Sequence, residues 1–417
     1  MSTTIIRDAR VLTMLAPGET ALPKGGRRGC DLGTLGVIPR ADVVIKDGRI
    51  AAIEDSAPVT STFRRDATET VDADGRVLMP GFVDCHTHAC WAGSRIDEWE
   101  RKLVGATYQE IMAAGGGIMS TVRAVRGTEA GNLMVGLAER VERMLRLGST
   151  TIEVKSGYGL MGEFELAMLA AIHASPDWSA ATVVPTALLG HAIDPGAPSP
   201  EAFVTQTIDR TLPGASREYP GIAVDAFCEK GAWSLEDCVR LFEKAKALGH
   251  PIRVHADQFT SMGMIGEATR LGALSVDHLE ATTPDDLKRL AESETFGVML
   301  PVCGFHLDGR YANGRGFLDH GGKLCIATNY NPGSAPCPSM PFAIALAVRH
   351  LKLTPAEAIG AAAINPAALL GFTDRGFIAP GARADLILLR HTDERALAYE
   401  VGDNPVAAVF VAGVPVG

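Results

Sequence analysis

The sequence predicts an α/β protein with a (β/α)8 TIM-like barrel and a small β-sandwich domain formed by both termini. In the middle of the chain, short apolar segments alternate with amphipathic segments, a pattern typical of parallel sheets. Strand-like segments punctuated by turn residues occupy the two ends. The length of 417 residues suits a barrel with an appended domain. We therefore expect residues 1–75 and 372–417 to form a composite β-domain beside a barrel of residues 76–371.

The N-terminal region contains two strand-like runs on either side of a Gly- and Pro-rich stretch. This stretch, residues 16–36, predicts an exposed loop. The dipeptide Asp47-Gly48 lies between apolar runs and predicts a β-hairpin. The C-terminal segments 380–390 and 404–417 are also strand-like, so we expect both ends of the chain to join in one domain.

The barrel region contains eight short apolar segments that fit strands. A capping box from Thr354 to Glu357, with Pro355 at the first helical position, predicts a helix after the last strand. Eight repeats favour a closed barrel, and an open, doubly wound sheet is the alternative on this pattern alone. The predicted strands span residues 77–85, 148–155, 182–190, 221–228, 251–257, 273–279, 295–302 and 323–328.

The composition argues against several classes of protein. The chain carries 39 Lys and Arg against 49 Asp and Glu, whereas nucleic-acid binders usually present a basic face. The N-terminus lacks a cationic stretch followed by a long apolar one, and no apolar run reaches about 18 residues. We expect a cytoplasmic protein with neither a nucleic-acid nor a membrane partner.

Four histidines fall at predicted strand ends, where barrel enzymes place their active residues. His86 and His88 follow the first strand at i and i+2, so both imidazoles can face the same side. With His255 at the end of the fifth strand, they suit one Zn²⁺ or Fe²⁺ ion that activates water for hydrolysis. His278 ends the sixth strand and suits proton transfer or oxyanion stabilisation.

Lys155 also ends a predicted strand. In two-metal hydrolases of this kind a carboxylated lysine can bridge the ions, but that lysine belongs on the fourth strand. Lys155 ends the second strand, and the fourth ends at Cys228 and Glu229. We therefore predict a single metal ion.

Several segments resemble the imidazolonepropionase family of the amidohydrolase superfamily over nearly the whole chain. The resemblance implies hydrolysis of a small anionic heterocycle, 4-imidazolone-5-propanoate, to N-formimino-L-glutamate in histidine degradation. It also implies one divalent metal ion and a homodimer. The segments that carry it are residues 92–126, 153–160, 225–234, 275–281 and 331–336.

The same resemblance implies roles for individual side chains. Arg95 would bind the propionate, since a guanidinium pairs with a carboxylate in a planar, bidentate way. A surface salt bridge is the alternative for this arginine. Tyr108 and Tyr158 would donate hydrogen bonds to substrate, and His191 would contact the ring or its carbonyl.

The remaining implied contacts lie near the fifth and eighth strands. Gln258 would hold the ring nitrogens. Asn331, Gly333 and Ser334 form a loop that would bind the carboxylate of substrate or product through backbone amides.

One position departs from the family pattern. The family has aspartate where this chain has Asn329, in the run ATNYNPGS, at the expected fourth corner of the metal site. Asparagine offers a neutral oxygen but cannot act as a general base. Three explanations stay open: an engineered substitution, a natural divergence in which a group such as His278 takes the proton, and a lost activity that leaves a binding protein.

Two other functions remain open. The first is hydrolysis of a sibling ring, a hydantoin or thiohydantoin propionate, with release of sulfide in the latter case. His306, Cys303 and Cys337 near predicted strand ends motivate it. The second is a non-catalytic small-molecule binding protein, motivated by Asn329 alone.

Overall fold

The computed structural model describes residues 3–55, 68–106, 110 and 115–416. Two sheets organise this part of the chain, one parallel and one mixed. The parallel sheet consists of β6 (Phe82–Asp84), β7 (Ser149–Lys155), β8 (Thr182–Gly190), β9 (Ala223–Cys228), β10 (Arg253–Ala256), β11 (Ser275–His278), β12 (Phe296–Met299) and β13 (Leu324–Ile326). The mixed sheet consists of β1 (Thr3–Leu12), β2 (Val37–Lys46), β3 (Arg49–Asp55), β4 (Glu69–Asp72), β5 (Val77–Pro80), β14 (Leu386–Leu389), β15 (Val406–Val411) and β16 (Val414–Val416).

Helices connect the parallel strands and cover their outer side. Among the described residues, no helix is both long enough and apolar enough to cross a membrane. The capping box predicted at Thr354 is confirmed, since its hydroxyl accepts from the Glu357 amide and the Glu357 carboxylate accepts from the Thr354 amide. The helices are α1 (Ile96–Leu103), α2 (Ile118–Arg126), α3 (Ala130–Arg146), α4 (Gly162–His173), α5 (Pro200–Gln206), α6 (Leu212–Glu218), α7 (Leu235–Ala247), α8 (Met264–Leu271), α9 (Pro284–Glu292), α10 (Pro301–His306), α11 (Gly314–Asp319), α12 (Met340–His350), α13 (Pro355–Ala361), α14 (Ile364–Leu369) and α15 (Ala396–Tyr399), with shorter helical turns at Gly29–Gly33, Ser175–Asp177 and Thr207–Thr211.

The predicted barrel is confirmed. Strands β6 to β13 pair in parallel in the order of the sequence, without the reversal of order that a doubly wound sheet requires. The first and last strands meet through the residues that follow them. The Asn329 amide donates to the His86 carbonyl at 3.0 Å, and the His88 amide donates to the Tyr330 carbonyl at 3.0 Å. Polar residues after β6 and β13 are thereby held side by side.

Both ends of the chain contribute to the mixed sheet, as expected. Strand β1 pairs with β2 on one side and with β4 and β5 on the other, and β5 continues to β14. The predicted hairpin at Asp47-Gly48 joins β2 to β3, and both residues have positive φ, as a type I′ turn requires. Strand β5 belongs to this sheet although it follows residue 76, and the division of the chain at that residue stays a prediction.

The irregular backbone predicted at residues 16–36 is present, but this segment is only partly exposed. Arg27, Gly29 and Leu32 are buried, and this segment packs against the end of the barrel where its strands begin. The Arg28 guanidinium donates to the carbonyls of Ala291, Gly321 and Ser293 at 3.1, 3.2 and 2.7 Å. The segment therefore packs beside the starts of β12 and β13, at the end of the barrel opposite the histidines.

Asn365, fully buried in α14, fixes this segment to the barrel. Its carboxamide accepts from the Arg27 amide at 2.7 Å and donates to the carbonyls of Arg27 and Leu324, both at 3.0 Å. Because Asn365→Ala leaves these buried groups unpaired, we expect the free energy of unfolding to fall by about 3 kcal/mol. Urea denaturation measures the change. Exposed Asn132→Ala is the control, and an equal, small effect of both variants would contradict the prediction.

Candidate active site

Three buried histidines converge where the barrel strands end. His86 and His88 follow β6, and His255 lies in β10. Their ligand nitrogens all lie within 4.8 Å of one another. The Nε2 atoms of His88 and His255 are 3.2 Å apart. The structure thus brings together the three side chains that the sequence analysis proposed as metal ligands.

Two carboxylates orient the imidazoles of His86 and His255. Asp277 Oδ2 lies 2.7 Å from His86 Nδ1, and Asp225 Oδ1 lies 3.1 Å from His255 Nδ1. A carboxylate accepts the Nδ1 proton, so each Nε2 presents its lone pair to the centre of the cluster. Burial lowers the pKa of His86 well below its ordinary value and favours the neutral form that binds metals.

The donor set fits a divalent metal ion. His86 Nε2 is buried and has no hydrogen-bond partner among the described residues, as expected of a nitrogen whose partner is a metal. Asn329 Oδ1 is likewise buried without a partner, and the Asn329 backbone is tied to His86. Imidazole nitrogens with one amide oxygen suit Zn²⁺ or Fe²⁺.

A network of buried charges lies directly behind the histidines. Lys155 Nζ donates to Glu153 Oε1 and to Asp225 Oδ2, both at 2.8 Å. Arg253 Nη2 donates to Asp277 Oδ2 at 2.8 Å. Each carboxylate that orients a histidine is therefore shared with a buried cation. Lys155 acts here as a counter-ion, which agrees with a single metal ion.

His278 lies beside the histidine cluster, with its ring centroid 5.6 Å from that of His255. Its Nδ1 is 3.2 Å from Glu280 Oε1. Burial opposes the charged form, but the Glu280 carboxylate and the neighbouring Cys303 sulfur outweigh it and raise the pKa of His278 to about 10. His278 therefore holds a proton. Gln258 Nε2 contacts Cys303 Sγ at 3.4 Å, which places Gln258 at the same side of the site.

Tyr158 and His191 line the other side of the cluster. The His191 ring stacks on His88 with centroids 5.2 Å apart, and Tyr158 lies 5.2 Å from His191. Burial lowers the pKa of His191 to about 3. Its Nδ1 lies 2.9 Å from the Gly157 carbonyl, so Nδ1 carries the proton and Nε2 is an acceptor. Burial also raises the pKa of Tyr158, which keeps its hydroxyl a donor.

Arg95 makes a salt bridge and also reaches the predicted carboxylate-binding loop. Its Nε and Nη2 donate to Glu98 Oε2 at 3.0 and 2.8 Å. Its Nη1 lies over Gly333, where a Cβ atom would stand 2.2 Å away. The amides of Gly333 and Ser334 both donate to Asn331 Oδ1 at 2.8 Å. A ligand that binds these two backbone amides must therefore displace the side-chain oxygen Oδ1 of Asn331.

The other residues named in the sequence analysis have different outcomes. Tyr108 is outside the described residues. His306 ends α10 and is half-buried, and burial and the nearby Lys102 lower its pKa. Cys303, named only for the alternative substrate, contacts Gln258. The sequence analysis did not predict that Glu280 contacts His278. Its position two residues after His278 could have indicated this contact.

The chain is similar to known proteins over most of its length. The amidohydrolase family model matches residues 77–416. The imidazolonepropionase of Herpetosiphon aurantiacus is 43% identical over 401 residues, covering 94% of this chain and 93% of that protein. That of Deinococcus radiodurans is 41% identical, covering 95% of this chain and 97% of that protein. The chain belongs to the imidazolonepropionase family of amidohydrolases.

The resemblance to the imidazolonepropionase family is thus confirmed. The prediction that the protein is a metal-dependent hydrolase is confirmed as well. Among solved structures, a triazine hydrolase variant superposes with a TM-score of 0.73 at 16% identity, covering 99% of this chain and 94% of that one. At this identity the likeness shows a shared fold. The particular ring on which this member acts has to be argued from its site.

Proposed function

We propose that this protein hydrolyses 4-imidazolone-5-propanoate to N-formimino-L-glutamate with one divalent metal ion, a step of histidine degradation. The supporting observation is the convergence of three histidines between two different polar walls. One wall is the neutral His191 with Tyr158, and the other is protonated His278 with Gln258. Imidazolonepropionases are the relatives that match nearly the whole chain.

We infer that His86, His88 and His255 hold the metal, with Asn329 Oδ1 at the fourth corner. Zn²⁺ is our first choice and Fe²⁺ the alternative, since imidazole nitrogen suits both. The bound ion supplies a Lewis acid that polarises the ring carbonyl and lowers the pKa of water to near 7.

The side chains around the metal site have separate tasks in ring opening. Water adds to the carbonyl carbon, the ring C–N bond breaks, and the departing nitrogen gains a proton. His278 donates that proton from Nε2, because its Nδ1 is held by Glu280. Tyr158 donates to the substrate, and Gln258 holds the ring nitrogens. Asn329 cannot take the proton that the attacking water loses, so in this chain that proton would pass to solvent.

Arg95 is the proposed propionate ligand, and its Nη1 is the nitrogen free of Glu98. Arg95→Lys keeps the charge but loses the planar donor pair. We expect KM to rise about 10- to 100-fold with kcat nearly unchanged, because a charge-assisted hydrogen bond contributes about 1.5–3 kcal/mol. Steady-state kinetics measure the two constants. Exposed Arg101→Lys on the same helix is the control, and a fall in kcat alone would assign Arg95 another role.

The proposed function is tested by assaying metal-loaded protein, with Asn329→Asp alongside, for ring-opened product from imidazolone propionate. Parallel incubation with the thiohydantoin analogue, followed by sulfide detection, separates the sibling activity. An inert Asn329→Asp protein with bound metal would refute the assignment. Turnover by the chain as written would exclude a purely binding role. The cytoplasmic location, the homodimer and the absence of nucleic-acid or membrane partners remain predictions.

A further inference from the structure

A second group of ligand atoms lies beside the histidine cluster. His278, Glu280 and Cys303 offer a nitrogen, an oxygen and a sulfur atom that all lie within 4.8 Å of one another. None of the three belongs to the first cluster. The two clusters adjoin through His278, whose ring centroid is 5.6 Å from that of His255 and 6.0 Å from that of His86.

Two side chains of this second group, Glu280 and Cys303, have hydrogen-bonding capacity that the described residues do not fill. Glu280 Oε2 is buried and has no hydrogen-bond partner among the described residues, and the Glu280 side chain is 5% exposed. Cys303 has a free thiol, is buried, and receives a long hydrogen bond of 3.4 Å from Gln258 Nε2. A buried carboxylate oxygen, an imidazole and a thiol in one place form an incomplete network that an ion can complete.

The chemistry of these donors selects the ion. A thiolate, an imidazole and a carboxylate are the three ligand types that proteins use for Zn²⁺. Mg²⁺ and Ca²⁺ prefer oxygen ligands and would leave the sulfur without a partner. The spacing is compatible with one zinc ion at about 2.0–2.3 Å from each ligand atom, because His278 Nδ1 and Glu280 Oε1 are 3.2 Å apart and all three ligand atoms lie within 4.8 Å of one another.

We propose that His278, Glu280 and Cys303 form a second, weaker zinc site whose occupation inhibits the enzyme. Zinc binding there must break the hydrogen bond between His278 Nδ1 and Glu280 Oε1, which lowers the affinity relative to the first cluster. A zinc ion on His278 removes the proton donor for ring opening. The inhibitory consequence rests on the proposed function, whereas the site itself does not.

Metal stoichiometry tests the site independently of activity. Metal-free protein is titrated with Zn²⁺ against a chromophoric chelator, and with Co²⁺ to record the absorption of a metal–thiolate bond. We expect two equivalents of Zn²⁺ to bind, the second more weakly, with the thiolate signal appearing only with the second equivalent of Co²⁺. Cys303→Ser should bind one equivalent and give no thiolate signal. Cys30→Ser, which removes an exposed thiol, should bind two.

Two further variants keep the test decisive. Glu280→Gln keeps the shape of the side chain and should weaken the second site at least tenfold, which matters if Cys303→Ser does not fold. His86→Ala should lose the tight site and retain the thiolate signal. One equivalent in the unaltered protein at excess zinc, or a second equivalent that survives in Cys303→Ser, would overturn the proposal. Absence of ring opening by metal-loaded Asn329→Asp protein would instead refute the proposed function and leave this stoichiometry unaffected.

Discussion

Asn329→Asp is expected to raise kcat for ring opening about 10²- to 10⁴-fold, the usual contribution of a general base. The side chain is buried, its Oδ1 has no hydrogen-bond partner among the described residues, and its backbone amide is bonded to His86. Aspartate has the same shape, so the substitution adds an anion and a proton acceptor without repacking. The effect should appear in kcat more than in KM, because the base acts after substrate binds.

The measurement is a steady-state assay at equal metal occupancy, determined by elemental analysis of both proteins. Exposed Asn132→Asp is the matched control, since it adds the same charge far from the barrel mouth, and it should leave kcat unchanged. A gain below tenfold at full occupancy would show that a proton acceptor other than residue 329 already serves the reaction. That result would favour natural divergence over a substitution that disabled the site.

The strands of the barrel were predictable because most of their residues are buried, so short and mainly apolar segments mark them even where a charged residue such as Glu153 or Asp225 interrupts the run. The apolar character of these segments also made the boundary between β5 and β6 difficult to predict. The predicted first strand, residues 77–85, is two strands, and β5 pairs with β1 and β14 whereas β6 opens the barrel. The dipeptide Pro80-Gly81 is a turn signal at this change of sheet, but the apolar residues on both sides of it made the segment resemble one strand. The predicted seventh strand similarly ends at Met299, before Pro301 begins α10.

The histidines were predictable because two of them share a face of one strand end by spacing alone. The charges behind them were not, because Glu153, Asp225, Arg253 and Asp277 lie on different strands or deep within one, and only closure of the barrel brings them together. The partial burial of residues 16–36 was not predictable for a related reason. Its glycines and prolines predict irregular backbone, but its burial depends on distant carbonyls that accept from Arg28.

Lys155→Met is expected to lower the free energy of unfolding by about 3–5 kcal/mol, the usual cost of removing one partner from a buried ion pair. The ammonium is fully buried and contacts Glu153 and Asp225 at 2.8 Å. Without it, two carboxylates stay in the interior with less compensating charge. Because Asp225 also orients His255, we expect metal affinity to fall about 10- to 100-fold as well. Chemical denaturation and chelator competition measure the two effects.

Two comparisons decide whether burial of the charge is the cause. Lys288→Met removes an exposed lysine whose nitrogen lies 3.9 Å from Glu292, and it should change stability by less than about 0.5 kcal/mol. The double variant Lys155→Met with Glu153→Gln removes one cation and one anion together, so its destabilisation should be smaller than the sum of the two single effects. Additive effects would mean that methionine merely packs poorly at position 155. A non-additive result would establish that the buried cation at this position holds the carboxylates that set the histidines in place.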